Sequence, residues 1–316
     1  VMMWNPPWAF ALVLPFGAFD YSMARSLWFF FHLAVLFVCV AAGQRIYEIQ
    51  KPRQWLVWGL ALSYFPFVFV LKAGQITALV LLGITGFLFF EKRREDGFAG
   101  AFAALAMLKP HLLYLFWIAL FFWTLKHHRW RIAGTAAAAL FGAVLVVLPF
   151  NLRVVSQYFE ATMSYPPLDW ATPTLGGVLR MMLGTERVWL QFLPSIGGCV
   201  WLSFYYRQQS SSWTWREQTP LLLLVSVLTA SYGAWTYDQV VLLLVLFASV
   251  QRVDPDASQT RQMFLVSLFL AANVSAFVMN LRGVNEIWFF WMAPVWLGLY
   301  WAASNGKTSV WSQSTG

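Results

Sequence analysis

The sequence predicts an all-α, polytopic membrane protein, and three observations support this prediction. Hydrophobic residues make up 60% of the 316 positions and charged residues only 11%, with a mean hydropathy of +0.62. Soluble domains carry about 25% charged residues, so the chain lies far outside their usual range. The apolar residues form long runs, and the basic residues collect in short groups between the runs. We therefore expect residues 1–316 to form a single transmembrane domain.

The apolar runs predict about eleven helical segments of two lengths. Seven segments are long enough to cross a membrane: 24–43, 54–71, 73–90, 131–150, 188–205, 263–280 and 287–303. Four are short and form two pairs: 98–108 with 112–124, and 220–230 with 239–250. A dozen helical residues reach only about 18 Å, less than the ~30 Å hydrocarbon core. Each pair is therefore predicted to be a hairpin that ends inside the membrane.

The basic residues orient these segments. If both pairs are hairpins, one side of the membrane keeps only Arg25, Lys72, Lys109, Arg153, Arg180, Arg187 and Arg282 out of 21 Lys and Arg residues. The richer side should be cytoplasmic, because positive charge is retained there. Reading the first pair as one span would place Lys92-Arg93-Arg94 and Lys126-His127-His128-Arg129 on opposite sides, which this rule disfavours. We expect a multi-pass protein of the cell membrane whose N-terminus is external and whose C-terminus is cytoplasmic.

Polar residues stand at the tips of both predicted hairpins. Lys109-Pro110-His111 interrupts an almost wholly apolar stretch, and Tyr237-Asp238 begins the second half of the other pair. A charged group at membrane depth costs several kcal/mol unless it lines a cavity or reaches water. Irregular backbone is tolerated at that depth only in the same surroundings. We predict that both tips line a cavity open to the external side. The alternative for Lys109 is a side chain that extends from a helix end to the interface.

The same topology places the other polar motifs on the external side. They are Trp4-Asn5-Pro6-Pro7-Trp8, Lys72-Ala73-Gly74-Gln75, the long loop 151–187 and Arg282-Gly283-Val284-Asn285-Glu286. A loop of that length is usually a lid or a binding loop, and disorder is the alternative. We expect five polar side chains to converge on one pocket: Lys72, Gln75, Lys109, His111 and Asp238.

No motif of a soluble enzyme is present, whether a phosphate loop, a dinucleotide-binding glycine pattern, a zinc helix or a nucleophile elbow. Cys39 and Cys199 lie in apolar spans and are expected to be free thiols. His127-His128 lies between basic residues at a helix end, which favours a solvated turn over a metal pair. The net charge of +8 follows the positive-inside pattern. The sequence predicts no metal, no cofactor and no nucleic-acid partner.

Four external motifs together suggest a family. They are Asn5-Pro6-Pro7 before the first span, Gly74-Gln75, Lys109-Pro110, and Ser231 followed by Trp235-Thr236-Tyr237-Asp238-Gln239. Their order, from about Trp4 to Val250, resembles glycosyltransferase family 87, the polyprenyl-phosphate-dependent hexosyltransferases of the GT-C class, which are similar to bacterial mannosyltransferases. Two features depart from the family. Ser231 is followed by Tyr232-Gly233 where members commonly have proline, and the chain starts at Val1 directly at the double-proline motif.

The resemblance implies an activity and a set of partners. The protein would move a hexose, mannose in the first place, from a polyprenyl-phosphate donor to a glycan or glycolipid acceptor at the external face. Membrane lipid would surround it, and the donor's lipid tail would lie between apolar spans. Family members begin with a further span and an external loop that carries the acidic residue usually taken as the catalytic base. On that comparison we expect a truncated chain that binds the donor and transfers the sugar poorly.

The resemblance also suggests roles for single residues. Lys109, His111 and Lys72 would bind the donor phosphate, since cations and N–H donors suit a phosphate. Substrate binding would involve Asn5, Gln75, Trp235, Tyr237 and Gln239. Asp238 and Asp169 are the candidate catalytic carboxylates, with Asp169 on the long loop the better base and Asp238 better placed to orient a sugar hydroxyl or to pair with Lys109.

Two other classes of function remain open from the sequence. Broken helices with charged tips also occur in transporters, so a transporter or flippase of a lipid-linked or polar substrate is the main alternative. The segment order shows no repeat, and the polar residues cluster towards one side, which argues against it. The third hypothesis is a scaffold subunit that catalyses no reaction. This hypothesis predicts an external loop in which no acidic residue faces a pocket.

Overall fold

The computed structural model describes residues 5–164, 170–253 and 258–304, and these residues contain no β-strand. The α-helices are Phe10–Val13 (α1), Tyr21–Ile46 (α2), Lys51–Ser63 (α3), Phe65–Ala73 (α4), Thr77–Lys92 (α5), Asp96–Ala106 (α6), Tyr114–His127 (α7), Trp130–Val147 (α8), Val154–Ser164 (α9), Leu175–Leu183 (α10), Leu193–Gln209 (α11), Trp215–Thr229 (α12), Leu243–Arg252 (α13), Gln259–Leu281 (α14) and Met292–Ser304 (α15). Short 3-10 helices are Pro7–Ala9, Leu14–Ala18, Pro110–Leu113, Val188–Gln191, Asp238–Leu242 and Glu286–Trp291.

Several helices are long and apolar enough to cross a membrane. Within the described residues these are α2, α8, Val188–Gln209 and α14. Two further helix pairs are long and apolar enough only when each pair is taken together. They are bent by 48° between α3 and α4 and by 117° between α6 and Pro110–His127, and each is a broken span or a re-entrant hairpin. The protein is thus an all-helical, polytopic membrane protein, and the predicted fold class is confirmed.

The helices follow the order of the predicted segments, with several differences. Of the seven segments predicted to be long enough to cross a membrane, 73–90 and 287–303 contain α-helices of only 16 and 13 residues, α5 and α15, which are too short to count as spans. The loop 151–187, predicted as a lid or a disordered segment, contains α9 and α10. Helix α10 is capped by Thr174, whose side chain accepts a hydrogen bond from the backbone N–H of Gly177. The stretch Pro7–Ala18, for which no helix was predicted, consists of consecutive short helical turns.

The second predicted span, 54–71, is broken at Tyr64 into α3 and α4. Pro66 in the first turn of α4 has no N–H to continue the hydrogen-bond ladder of α3, and Tyr64 has an extended backbone. The freed backbone N–H of Phe65 donates to the side-chain oxygen of Asn273 at 2.6 Å, within the interior of the bundle. A buried asparagine on α14 therefore satisfies the backbone at the break, as the apolar surroundings require.

The first hairpin inserts α6 between α5 and α8, and glycines permit the close packing. A Cβ atom at Gly83 of α5 would lie 2.7 Å from the backbone nitrogen of Ala106. A Cβ atom at Gly100 of α6 would lie 2.2 Å from the carbonyl oxygen of Ile132 on α8. Small residues at helix contacts are typical of membrane bundles. In lipid the hydrophobic effect does not drive helices together, so their association depends on close packing of the backbones. This packing fixes the end of α6, and with it the position of Lys109.

The second hairpin consists of α12, a connection over residues 230–237, and the run from Asp238 through α13. All five residues of the 3-10 helix Asp238–Leu242 are buried. That helix packs against α4, α5 and α12, and the first hairpin's turn Pro110–Leu113 also packs against α12. The tips of both hairpins are therefore neighbours inside the bundle.

Candidate functional site

A buried ion pair joins the two hairpin tips. Lys109 Nζ lies 2.6 Å from Asp238 Oδ1, and the hydroxyl of Thr77 donates to the same oxygen at 2.7 Å. Lys109 is 8% exposed, and Asp238 and Thr77 are fully buried. A charge so buried requires a partner of opposite sign. Lys109 therefore points into the protein, and the alternative in which it extends to the membrane interface does not hold.

The backbone at each tip explains how these side chains are presented. Helix α6 ends in short turns in which Leu108 and Lys109 donate to carbonyls three residues back, and Pro110 cannot extend the ladder. At the other tip, Gly233 and Ala234 have left-handed backbone conformations with φ of 79° and 57°. These two residues reverse the chain so that the Asp238 N–H donates to the Trp235 carbonyl at 2.7 Å.

His111 lies close to Gly233 and Asp238, and its own side chain is exposed. A Cβ atom at Gly233 would lie 3.0 Å from His111 Nε2 and 3.4 Å from Asp238 Oδ2. Among the described residues, Asp238 Oδ2 is a buried oxygen with no hydrogen-bond partner. The imidazole and a carboxylate oxygen thus both lie within 3.4 Å of the point that a Cβ atom at position 233 would occupy, and glycine avoids that crowding.

Aromatic rings connect Lys72 to this cluster. Lys109 Nζ lies 4.9 Å from the ring centre of Tyr237, whose ring lies 6.0 Å from that of Phe69. Lys72 Nζ lies 5.7 Å from the Phe69 ring and donates to the side-chain oxygen of Asn280 at 3.2 Å. Lys72 is exposed. It therefore lies at the edge of the cluster and reaches Lys109 only through two rings.

The other predicted site residues have different surroundings. Within the described part of the chain, the side chains of Asn5 and Gln75 form no hydrogen bond to the cluster. Gln239 is fully buried, and its carbonyl accepts from the hydroxyl of Tyr64 at 2.9 Å, so it holds the turn from inside. The Trp235 ring lies 6.2 Å from that of Trp170, in the middle of the long loop. Asp169 lies outside the described residues.

Further residues support the site although the sequence analysis assigned them no role. Arg180, buried on α10, donates to the side-chain oxygen of Gln191, and the Gln191 amide donates to the carbonyl of Ser231. This chain of hydrogen bonds connects the long loop to residues 230–238, which are called the Asp238 turn below. Thr77 carried no signal, because a threonine within an apolar helix is common. Among these supporting residues, only Gln191 carried a signal in the sequence, because it is a polar residue next to an apolar run.

Glu286, the first residue of the 3-10 helix Glu286–Trp291, is a second carboxylate that contacts the Asp238 turn. Its Oε2 accepts a hydrogen bond from the hydroxyl of Thr236 at 2.9 Å, and the side chain is half-buried. Burial raises the pKa of Glu286 above its ordinary value, the hydrogen bonds from Thr236 oppose this shift, and the negative charge of Asp238 adds to it. The sequence analysis placed Glu286 in an external motif and gave it no role.

An apolar groove includes Thr229, the last residue of α12 before the connection 230–237, in its lining. It has a volume of about 460 Å³ and lies between α10, α11 and α12. Its other lining residues include Leu175, Leu179, Trp201 and Val225. Thr229 exchanges a 2.7 Å hydrogen bond with the hydroxyl of Tyr114, just after the first hairpin tip. A separate apolar cavity between α3, α13, α14 and α15 has none of the cluster residues in its lining.

These features define a class of protein. This is a helical membrane protein that brings a cation and a carboxylate together at helix breaks, beside an apolar groove, and such costly buried charges mark a candidate functional site. Comparison with protein families identifies it further. The sequence model of glycosyltransferase family 87 matches residues 4–231, so the chain belongs to this family and is a glycosyltransferase, an enzyme with a sugar donor and an acceptor. No curated protein and no solved structure matches the chain.

The family match confirms the resemblance drawn from the motifs. The matched residues include the double-proline motif, Gly74-Gln75 and Lys109-Pro110, and end at Ser231. The Trp235-to-Gln239 motif lies beyond them, so the structure alone links Asp238 to the matched part of the chain.

Proposed function

We propose that this enzyme transfers a hexose from a polyprenyl-phosphate donor to a glycan or glycolipid acceptor on the external face of the cell membrane. Mannose is the first candidate for this hexose. The observation that carries the proposal is the position of Lys109, a buried cation at a helix break with the exposed ring of His111 beside it. A buried cation next to an accessible N–H donor is suited to a phosphate, which needs both charge and hydrogen bonds.

The charge distribution supports a role for Lys109 and His111 at the leaving group. Breaking the bond between the sugar C1 and the phosphate oxygen leaves an electron pair, and hence negative charge, on the phosphate. A cation preorganised in a site of low polarity stabilises that charge far more than water does. An ammonium group has three donors, so Lys109 can keep its bond to Asp238 and still donate to a phosphate.

Asp238 is better suited to position the donor than to act as the base. Its Oδ1 already receives hydrogen bonds from Lys109 and Thr77. The remaining oxygen, Oδ2, has no hydrogen-bond partner in the described part of the chain and lies beside Gly233. An acceptor atom of this kind can bind a sugar hydroxyl. We assign Asp238 to holding Lys109 and orienting the sugar, and retain Asp169 as a candidate base.

The lipid part of the donor needs an apolar surface next to the phosphate position. The groove between α10, α11 and α12 meets that need, because its lining includes Thr229, next to the turn that carries Asp238, and its other lining residues are largely apolar. An isoprenoid tail in this groove would leave the sugar phosphate at the helix break. Lys72, at the edge of the cluster, would attract the phosphate during entry.

The experiment measures binding of a radiolabelled short-chain polyprenyl-phosphate mannose to the purified chain in detergent. Lys109→Met should weaken binding by roughly 2–4 kcal/mol, about 30-fold to several hundredfold, because a buried phosphate loses its charge partner. The matched control is Lys92→Met, which removes an exposed lysine from the predicted cytoplasmic side.

Lys109→Met also breaks a buried ion pair, so a second variant guards against misfolding. His111→Gln changes an exposed side chain and should weaken donor binding about tenfold while the chain stays folded. Donor affinity unchanged in both variants would refute the proposal. Movement of intact donor lipid across a vesicle membrane, with no sugar transferred, would support the transporter alternative.

A further inference from the structure

The apolar cavity between α3, α13, α14 and α15 contacts residues that support the candidate site from inside the bundle. Its deep end is lined by Tyr64 and Leu242. The Tyr64 hydroxyl donates to the carbonyl of Gln239 at 2.9 Å, and Leu242 is the last residue of the 3-10 helix that begins at Asp238. A molecule bound in this cavity would therefore pack against the residues that hold Asp238 in place.

The lining of the cavity changes from polar to apolar along its length. At one end lie Arg53, in the first turn of α3, Ser249, near the end of α13, and Gln262, near the start of α14. Towards the deep end the lining consists mostly of leucine, valine and aromatic side chains. The sequence predicts that the polar end is cytoplasmic. This order fits a ligand with a polar group at the membrane surface and an apolar chain directed into the membrane.

The dimensions of the cavity fit part of one acyl chain. From Arg53 to Tyr64 the backbone rises about 16 Å at 1.5 Å per residue. This is about half of the ~30 Å hydrocarbon core, the depth of one leaflet. The volume of about 100 Å³ equals about seven to ten water molecules, but a largely apolar lining offers water few partners. Leu56 in the lining is 43% exposed, so the cavity reaches the surface of the bundle, where a lipid chain can enter.

Arg53 provides a cation for a lipid headgroup. Its Nη1 donates to the carbonyls of Val250 and Val253, at 3.3 and 2.8 Å, where α13 ends. A guanidinium has five N–H donors, and the Nε and Nη2 groups of Arg53 form no hydrogen bond in the described part of the chain. Two neighbouring N–H groups in one plane match two oxygens of a phosphate.

The sequence around the polar end of the cavity is basic overall. The helix ends there carry four cations, and the connection between α13 and α14, outside the described residues, carries two acids, which leaves a net charge of +2: Lys51, Arg53, Arg252 and Arg261 against Asp254 and Asp256. Basic residues next to the cytoplasmic leaflet attract its anionic lipids. The charge at this end therefore favours an anionic lipid over a zwitterionic one.

We propose that this cavity binds an anionic glycerophospholipid of the cytoplasmic leaflet, with the phosphate at Arg53 and one acyl chain directed towards Tyr64. The bound chain packs against Tyr64 and Leu242 and so steadies the 3-10 helix that carries Asp238. The lipid is not a substrate, and its site is separate from that of the sugar donor. The inference therefore does not depend on the function proposed above.

The first test measures lipid binding to the purified chain by native mass spectrometry, with dioleoyl phosphatidylglycerol and dioleoyl phosphatidylcholine as the lipids. Phosphatidylglycerol should bind more tightly by about fivefold or more. Arg53→Gln should remove this preference, and Arg53→Lys, which keeps the charge, should retain part of it. The matched control is Arg45→Gln, at an exposed position in the last turn of α2, and it should leave the preference unchanged.

A second set of variants tests the position of the acyl chain. Val266→Trp fills the cavity and should prevent binding of either lipid, as should Leu56→Trp at the exposed rim, where the fold tolerates a larger side chain. The control Val274→Trp makes the same change on α14 at a position that is 59% exposed and outside the cavity lining, and it should bind lipid normally. Added phosphatidylglycerol should slow hydrogen–deuterium exchange of residues 235–242 in the control and not in the two filled variants.

Several results would overturn the inference. They are equal binding of the two lipids by the unaltered chain, an equal preference in Arg53→Gln and Arg45→Gln, and normal binding in both Leu56→Trp and Val266→Trp. If Arg53 serves only to cap the end of α13, Arg53→Gln will lower thermal stability and keep the preference for phosphatidylglycerol. Exchange of residues 235–242 that does not respond to lipid would refute the contact with the Asp238 helix.

Discussion

Replacing Lys109 by methionine should strongly destabilise the folded protein. The substitution preserves the length of the side chain but leaves the carboxylate of Asp238, whose side chain is 1% exposed, with Thr77 as its remaining partner. Removing one member of a buried ion pair typically costs about 3–5 kcal/mol, because the other charge stays buried without compensation. A loss of this size lowers the ratio of folded to unfolded protein by more than about a hundredfold.

The chain provides a matched control for this measurement. Lys92 pairs with Glu48 at 2.5 Å, close to the 2.6 Å of the Lys109 pair, but its side chain is 47% exposed and that of Glu48 is 60% exposed. Exposed ion pairs contribute about 0–1 kcal/mol. Lys92→Met should therefore change the free energy of unfolding very little, although the same atoms are removed and the bond length is similar.

The assay is unfolding in mixed micelles by increasing dodecyl sulfate, followed by tryptophan fluorescence. A double variant, Lys109→Met with Asp238→Asn, completes a thermodynamic cycle and should be more stable than the sum of the single effects predicts, because no buried charge remains. Equal costs for Lys109→Met and Lys92→Met, or strict additivity in the cycle, would show that the pair is not buried as described.

Two further predictions concern the fold. Asn273→Leu should lower the free energy of unfolding by about 1–3 kcal/mol in the same assay, because the backbone N–H of Phe65 loses its buried partner. The control Asn280→Leu, at a less buried position, should lower it less. Equal losses would contradict this account of the helix break. In a chain without Cys39 and Cys199, cysteines placed at Glu95 and His127 should be shielded from membrane-impermeant reagents applied outside, and external labelling of both would refute the predicted orientation.

The sequence was sufficient to predict the helix breaks that form the site. A lysine followed by proline within an apolar run can be accommodated in only a few ways, since proline ends the helix and the charge needs a partner. The same reasoning pointed to Asp238 as a partner for Lys109, and the 2.6 Å distance agrees with that expectation. Both residues carry strong signals because each is costly in a membrane.

Other parts of the site could not be predicted because their signals are weak or depend on tertiary contacts. Thr77 resembles any threonine in an apolar helix until Asp238 is placed beside it. Glu286 resembles any acid in a polar loop, and only its bond to Thr236 distinguishes it. Helix α10 has a recognisable cap at Thr174, but the turn-rich stretch before it favoured a loop.

The charges at the site also bear on the release of the lipid phosphate in the proposed reaction. A polyprenyl-phosphate hexose is a phosphodiester with one negative charge, whereas the polyprenyl phosphate released is a monoester with about −1.5 to −2 at neutral pH. Lys109 is one cation, and Asp238 already balances it. The donor adds one negative charge to a neutral pair, but the product adds nearly two, and it does so next to the unpartnered Oδ2 of Asp238. After the sugar has left, the released monoester is therefore repelled by the Asp238 carboxylate more than the bound donor was. On the proposed function, the ion pair that helps to bind the donor also favours release of the lipid phosphate once the sugar has left.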